Sequence, residues 1–159
     1  MIHIDRYEKI WMILALLVLA GFAVAIGVAG FALGLQVPVP ERIVDPNTVA
    51  ESGRFADPGL FELPPNRYEA YIRAEASPWR FYPEEIVVPL GATVDIYVTS
   101  ADVQHGFNIM GTNINFQVLP GQVSKLTYTF NEVGEFPFVC NEYCGVGHQN
   151  MFGMIIVEP

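Results

Sequence analysis

The chain has 159 residues, of which 52% are apolar and only 16% are charged, and its formal net charge is −9. This length corresponds to about one domain, and the apolar content excludes intrinsic disorder, which requires low hydrophobicity. Nucleic-acid binding is not expected because no basic stripe is available to neutralise phosphates, and two cysteines are too few for a disulfide-rich miniprotein.

A stretch near the N-terminus accounts for the apolar excess. Residues 11–35 contain no charged side chain, and about 20 apolar residues are enough for a helix to span a bilayer. A cleaved signal peptide is the alternative, although its apolar region is usually only about 7–15 residues long. We therefore predict a retained, single-pass transmembrane helix over residues 11–35. Arg6 and Lys9 precede it, which favours residues 1–10 on the cytoplasmic side of the plasma membrane and the remainder outside.

The rest of the chain divides into a connection and a β domain. Residues 36–67 are rich in proline, aspartate and asparagine, which predicts a stalk and linker with a short helix near residues 46–52. From residue 68 to 159 apolar and polar residues alternate between Pro-Gly and Val-Gly turns, a pattern typical of an antiparallel sandwich or barrel. Strands are predicted at residues 68–72, 85–88, 93–99, 125–130, 136–140 and 154–157.

The soft metal ligands of the β domain fall in two places. His105 stands alone, whereas Cys140, Cys144, His148 and Met151 follow with the spacing Cys-x3-Cys-x3-His-x2-Met. Thiolate, thioether and imidazole groups select copper or zinc, zinc gains nothing from methionine, and a weak axial methionine is typical of copper electron-transfer sites. A mononuclear site of that kind uses one cysteine, so the second thiolate suits two bridged copper ions. A disulfide between the cysteines is the competing interpretation.

This pattern resembles a known copper motif. Segment 140–151, with 102–105 upstream, resembles the dinuclear copper A motif of subunit II of haem-copper cytochrome c oxidases. Segments 102–107, 111–115, 119–121 and 148–153 are similar to the ba3-type (B-family) enzymes. The resemblance implies a mainly β, cupredoxin-like Greek-key barrel over residues 68–159, with the loop of residues 140–151 between its last two strands. It also implies that two copper ions are bridged by both cysteines and further held by His105, His148, Met151 and the backbone carbonyl of Glu142.

The function implied by the resemblance is that of an electron-entry subunit of a terminal oxidase. Such a subunit forms no bonds itself: it accepts electrons from a cytochrome c or a cupredoxin and passes them to haem in the catalytic subunit I, where oxygen is reduced to water. The implied partners are subunit I, the donor and the lipid bilayer. Copper A proteins of nitric oxide and nitrous oxide reduction share the motif, and a membrane-tethered copper chaperone or cupredoxin is a further alternative.

Two side-chain roles extend the resemblance. Related subunits carry an aromatic cluster over the copper site, so we expect electron entry at Trp79, Phe81 and Tyr82; packing of this run into the core is the alternative. In many A-family oxidases a glutamate at the position of Glu142 reaches a magnesium ion at the interface with subunit I, and a carboxylate suits this hard cation. The ba3-type pattern has glutamine here, so a solvated carboxylate is the alternative.

Overall fold

The computed structural model describes residues 4–35 and 40–159, and the chain divides into two compact units, the second of which begins at residue 37. The first unit is helix α1, Arg6–Gly27, prolonged by a π-helical turn over Val28–Ala32. The Asp5 side chain caps α1 by accepting a hydrogen bond from the backbone N–H of Tyr7 at 2.8 Å. No residue of α1 is buried within this unit, and Arg6–Ala32 is long and apolar enough to cross a membrane.

The helix begins and ends earlier than the predicted range of 11–35. Hydropathy detects only the apolar part of a helix, whereas the Asp5 cap starts the helical backbone in the polar residues before it. At the other end Gly34 adopts a φ of 62°, a left-handed conformation that ends a helix.

The second unit contains eleven strands among the residues that the structure describes. In chain order these are Pro40–Ile43 (β1), Gly59–Leu63 (β2), Arg67–Ala76 (β3), Trp79–Tyr82 (β4), Glu85–Pro89 (β5), Thr93–Ser100 (β6), His105–Ile109 (β7), Asn115–Val118 (β8), Gln122–Thr129 (β9), Gly134–Val139 (β10) and Phe152–Glu158 (β11). The six predicted strands correspond to β3, β5, β6, β9, β10 and β11.

The strands form two sheets. One has the order β1-β9-β6-β3-β2, with β4 also paired to β3, and the other has the order β5-β11-β10-β7-β8. The expectation that all pairs would be antiparallel is wrong at two places, because β3 pairs with β6 and β5 pairs with β11 in parallel. Alternation of apolar and polar residues reports which face of a strand is buried and carries no information on strand direction.

Residues 40–63 are more ordered than a linker would be. Strand β1 pairs with β9 and β2 pairs with β3, so both extend the first sheet. The helix expected near residues 46–52 is absent from this described segment, which forms successive turns. Asp45 accepts hydrogen bonds at 3.0 Å from both the backbone and the side-chain nitrogen of Asn47, as aspartate does in turns. Residues 36–39 of the predicted stalk lie outside the described residues.

The main core contains buried side chains from both sheets. The first sheet contributes Ile72, Val94 and Ile96, and the second contributes Phe107, Phe138 and Ile155. Burying each such side chain stabilises the fold by about 1.5–3 kcal/mol. A smaller cluster on the other face of β3 and β6 packs residues of the 44–61 segment against that sheet; its buried members are Val49, Phe55, Tyr71, Tyr97 and Val123.

Candidate metal centre

The ligand loop of residues 140–151 joins β10 to β11, the last two strands, as expected. These strands pair antiparallel up to Val139 and Phe152. The ladder continues into the loop, because the Cys140 N–H donates to the Met151 carbonyl at 3.0 Å. The first and last candidate ligands of the loop are therefore held side by side at the end of a sheet, where the backbone has little freedom.

The remaining donor arrives from a different strand. His105 is the first residue of β7 and is fully buried. The loop passes so close to this strand that a Cβ on Gly106 would lie 2.0 Å from Oδ1 of Asn141 and 2.9 Å from the backbone nitrogen of Glu142. Only glycine permits this approach, which brings His105 against the loop.

The structure brings all the sequence-predicted ligands together. The Cys140 and Cys144 sulfurs lie 3.7 Å apart. Nδ1 of His105 is 3.9 Å from the Cys140 sulfur, and Nδ1 of His148 is 3.6 Å from the Cys144 sulfur. Sδ of Met151 lies 3.8 Å from the Cys144 sulfur, and the Glu142 carbonyl oxygen lies 3.2 Å from the Cys140 sulfur. Both cysteines are free, with their sulfurs well beyond the disulfide bond length of about 2.05 Å.

The two thiols differ in acidity. Burial alone would raise the pKa of Cys140, but hydrogen bonds from His105 and from the backbone of Gly106 and Glu142 lower it to about 6. Burial and the neighbouring Cys140 sulfur raise the pKa of Cys144 to about 12. Two sulfurs this close do not both ionise without a compensating positive charge, so the pair is suited to a cation that binds thiolates.

Asp102 belongs to the site although ligand spacing did not single it out. Its Oδ1 lies 2.9 Å from Nε2 of His105, the ring nitrogen that faces away from Cys140. Burial alone would lower the pKa of His105, but hydrogen bonds with Cys140 and Asp102 raise it. A carboxylate on the second nitrogen of a ligating histidine fixes the orientation of its ring. The sequence signal was an aspartate three residues before the histidine.

The aromatic run 79–82 divides between two environments. The indole of Trp79 donates a hydrogen bond to the Cys144 carbonyl at 3.2 Å, so this side chain adjoins the ligand loop. Phe81 is fully buried and packs edge-on against Phe107 and Phe138, with ring centroids 5.5 and 5.4 Å away. Tyr82 lies under the guanidinium of Arg73 at 5.0 Å. For Phe81 the alternative of core packing is therefore correct, and this side chain presents no surface to an electron donor.

The comparisons with known proteins agree with this geometry. Residues 79–158 match the family model "Cytochrome C oxidase subunit II, periplasmic domain". Cytochrome c oxidase subunit 2 of Thermus thermophilus is 44% identical over 156 residues, which cover 96% of this chain and 92% of that protein. The chain belongs to the cytochrome c oxidase subunit II family. One chain in the cryo-EM structure of a heme-copper terminal oxidase dimer superposes on this chain with a TM-score of 0.79 and 37% sequence identity. The alignment covers 96% of this chain and 100% of the oxidase chain.

The fold extends to more distant members. The periplasmic domain of subunit II (CoxB) of Bradyrhizobium japonicum has a TM-score of 0.52 at 22% identity, covering 57% of this chain and 83% of its own. Family membership confirms the predicted cupredoxin-like β domain with one N-terminal apolar helix. It also confirms a membrane-anchored, non-catalytic electron-transfer subunit of an oxidase complex with a periplasmic domain. The match over nearly a whole oxidase subunit disfavours the chaperone and nitrogen-oxide alternatives.

Proposed function

We propose that this chain is the electron-entry subunit of a haem-copper oxidase and that its ligand loop and His105 hold two copper ions. The observation that carries the proposal is the pair of thiols 3.7 Å apart, each with its own imidazole nitrogen within 3.9 Å. The proposed ligands are the side chains of His105, Cys140, Cys144, His148 and Met151 and the backbone carbonyl of Glu142.

The chemistry of the donors fits a pair of copper ions. Two sulfurs lie between two imidazole nitrogens, and one weak donor is available beside each sulfur: the Met151 thioether near Cys144 and the Glu142 carbonyl near Cys140. Soft thiolate and thioether ligands select copper or zinc over hard cations such as magnesium and calcium. A single zinc ion would leave a thioether without a role because zinc is bound by stronger donors.

The protein's contribution to electron transfer is a rigid and largely buried site. When bound, the copper pair supplies a centre that gains and loses one electron. The β10–β11 ladder and the first residue of β7 hold the donors in place, and His105, Cys140 and Met151 are at least nine-tenths buried. Donors locked by packing and backbone hydrogen bonds keep their geometry in both oxidation states, so little rearrangement accompanies each transfer.

The exposed part of the ligand loop is the proposed docking surface for the donor. Tyr143 and Val146 are each 78% exposed, and the Tyr143 ring centroid is 6.0 Å from that of His148. Trp79 contacts the same loop through the Cys144 carbonyl. We propose that a small cytochrome c or cupredoxin docks on this surface and that electrons enter beside Trp79. The eight acidic residues and single lysine of residues 81–159 favour a positively charged donor.

The Glu142 side chain is proposed to serve the interface with subunit I. Its carbonyl faces the Cys140 sulfur, whereas its carboxylate, half-buried, makes no hydrogen bond or ion pair within the described part of the chain. Magnesium is usually bound by one or two carboxylates together with water. We propose that the Glu142 carboxylate binds a magnesium ion at this interface and that subunit I supplies the other ligands.

The proposed topology places the N-terminus in the cytoplasm and the copper domain outside. Arg6 and Lys9 flank the cytoplasmic end of α1, which crosses the plasma membrane once and contacts lipid along its exposed apolar surface. Protease treatment of intact spheroplasts should therefore remove the β domain. Full protection of that domain would contradict this orientation.

Rapid mixing of the assembled oxidase with reduced donor tests the proposed function. We expect donor oxidation to be followed by reduction of haem in subunit I. The Cys144→Ser variant should lose both steps, while its haem remains reducible by dithionite, which controls for an intact catalytic subunit. If the donor reduces haem in the Cys144→Ser variant at the rate of the unmodified oxidase, the chain is not the point of electron entry.

A further inference from the structure

The tip of the β3–β4 hairpin lies between the two segments that carry the ligands. Ala76 and Trp79 face each other across the antiparallel pair and flank the turn of Ser77 and Pro78. The Ala76 N–H donates a hydrogen bond to Oδ2 of Asp102, and the Trp79 indole N–H donates to the Cys144 carbonyl. One short turn is therefore connected to both sides of the proposed centre.

On one side the connection runs through Asp102. Its Oδ2 accepts from Ala76, and its Oδ1 lies 2.9 Å from Nε2 of His105. The Val103 N–H donates to the same Oδ1 at 2.6 Å, which restrains the carboxylate further. The backbone of the hairpin tip is thus linked to the imidazole ring through one carboxylate.

On the other side the Trp79 ring lies against the backbone of the ligand loop. A Cβ on Gly147 would be 2.3 Å from Cδ2 and Cε3 of the indole, and a Cβ on Gly145 would be 2.9 Å from its Nε1. Glycine at both positions allows the loop between Cys144 and His148 to rest on the ring. The indole N–H then fixes the loop at the Cys144 carbonyl.

Strand pairing does not by itself align His105 with the loop. The described pairs between β7 and β10 are Ile109 with Phe138 and Asn108 with Val139, so this ladder ends at Asn108. Beyond that point the hairpin tip supplies hydrogen bonds to both segments. We propose that residues 76–79 are a positioning element that fixes the His105 ring and the Cys144–His148 segment relative to each other, and so sets copper retention and reduction potential.

This inference rests on the proposed copper function and assigns Trp79 a second role that depends on its N–H. Two near-isosteric variants separate the contacts. Trp79→Phe keeps an aromatic ring and removes the N–H. Asp102→Asn keeps one oxygen for His105 and turns an NH₂ group towards the Ala76 N–H. Tyr128→Phe is the matched control, because Tyr128 lies in β9, outside the proposed site. Its ring centroid is 4.9 Å from that of Phe130.

The experiment uses the full chain, purified in detergent and loaded with copper. For each variant we measure the reduction potential, the EPR hyperfine splitting and the equilibrium loss of copper to a competing chelator. We expect Trp79→Phe and Asp102→Asn each to weaken copper retention about 10-fold, the lower end for loss of a contact that orients a metal ligand, with a shifted potential and altered splitting. Because both contacts act through one turn, the double variant should lose less than the product of the single effects.

Failure of the inference and failure of the proposed function give different results. If the unmodified chain binds no copper, the proposed function is wrong. If it binds copper and both variants retain its potential, splitting and copper affinity, only the positioning role is wrong. Gly147→Ala is a second route to the same test, because its Cβ would displace the indole and should weaken copper retention in the same direction. Circular dichroism verifies folding of every variant.

Discussion

Phe81 is the residue at which core packing and electron entry predict different outcomes. It lies between Trp79 and Tyr82 in the aromatic run, but it is 0% exposed and contacts two other core rings edge-on. We predict that Phe81→Ala and Phe81→Leu reduce the stability of the fold, and that Phe81→Leu leaves the rate of donor oxidation unchanged because no donor reaches this ring.

The expected magnitudes follow from the contacts. Truncation of a fully buried phenylalanine to alanine costs about 3–5 kcal/mol, including the cavity that remains. Leucine refills most of the volume but loses the edge-on contacts with Phe107 and Phe138, each worth about 0.5–1.5 kcal/mol. We therefore expect about 4 kcal/mol for Phe81→Ala and about 1–3 kcal/mol for Phe81→Leu, from the same two principles.

Urea unfolding of the copper-free full chain in detergent, followed by near-UV circular dichroism, measures the stability loss. Donor oxidation is then measured in the assembled oxidase that carries Phe81→Leu, with Trp79→Ala as the comparison that should be slow. A loss below about 1 kcal/mol for Phe81→Ala, well under the usual range for a buried ring, would refute the packing argument. Slow donor oxidation by a stably folded Phe81→Leu oxidase would restore this ring to the electron path.

Four further predictions concern the ligands, the interface, the folding unit and the donor. Met151→Leu should retain two copper ions with a changed reduction potential, because an axial thioether bond is weak. Cys140→Ser should instead lose the spectrum of an electron shared by two copper ions. Loss of all copper from Met151→Leu on metal analysis would contradict the weak axial role of Met151. Glu142→Gln should preserve the copper spectrum and weaken magnesium or manganese binding by the assembled oxidase, and an unchanged divalent-metal content would leave only the carbonyl role. A fragment of residues 40–159 should fold and bind two copper ions. A fragment of residues 44–159 lacks β1 and should unfold at a lower urea concentration. Equal unfolding midpoints would show that β1 contributes nothing to the stability of the domain. Oxidation of a positively charged donor should slow as salt rises, and a rate independent of salt would instead indicate an apolar contact through Tyr143 and Val146.

The ligand set was predictable from the sequence because chemistry and spacing coincide there. Four of the five side-chain donors lie within the ligand loop and are therefore close together along the sequence. The β10–β11 pairing and the hydrogen bond between Cys140 and Met151 close this loop at its two ends. His105 was also identifiable, because it is the only histidine of the β domain besides His148. The contact of Asp102 with His105 is local, three residues along the chain. The links from the hairpin tip to Asp102 and to the Cys144 carbonyl join segments that are distant along the chain, and spacing along the sequence holds no information on such contacts.

The limits of the fold prediction have similar physical causes. Strands β3, β6 and β9 alternate in sequence because one face of each packs on the main core, and in β6 this face carries Val94, Ile96 and Val98. The opposite face of β6 is also buried, but it carries polar residues and Tyr97, so the alternation survives. Strand β4 consists of Trp79, Arg80, Phe81 and Tyr82, in which aromatic residues on both faces hide the alternation. Strands β1 and β2 are short edge strands of the sheet, and their pairing with β9 and β3 is a tertiary contact that local composition does not encode.

Metal analysis combined with EPR of the copper-loaded full chain tests the central claim most directly. The account predicts two copper ions per chain and, in the one-electron-oxidised form, an unpaired electron split by two equivalent copper nuclei, because both ions would share the Cys140 and Cys144 sulfurs. Cys144→Ser should convert this signal to that of copper with a localised electron. A single copper ion per folded chain, or zinc in its place, would contradict the dinuclear centre.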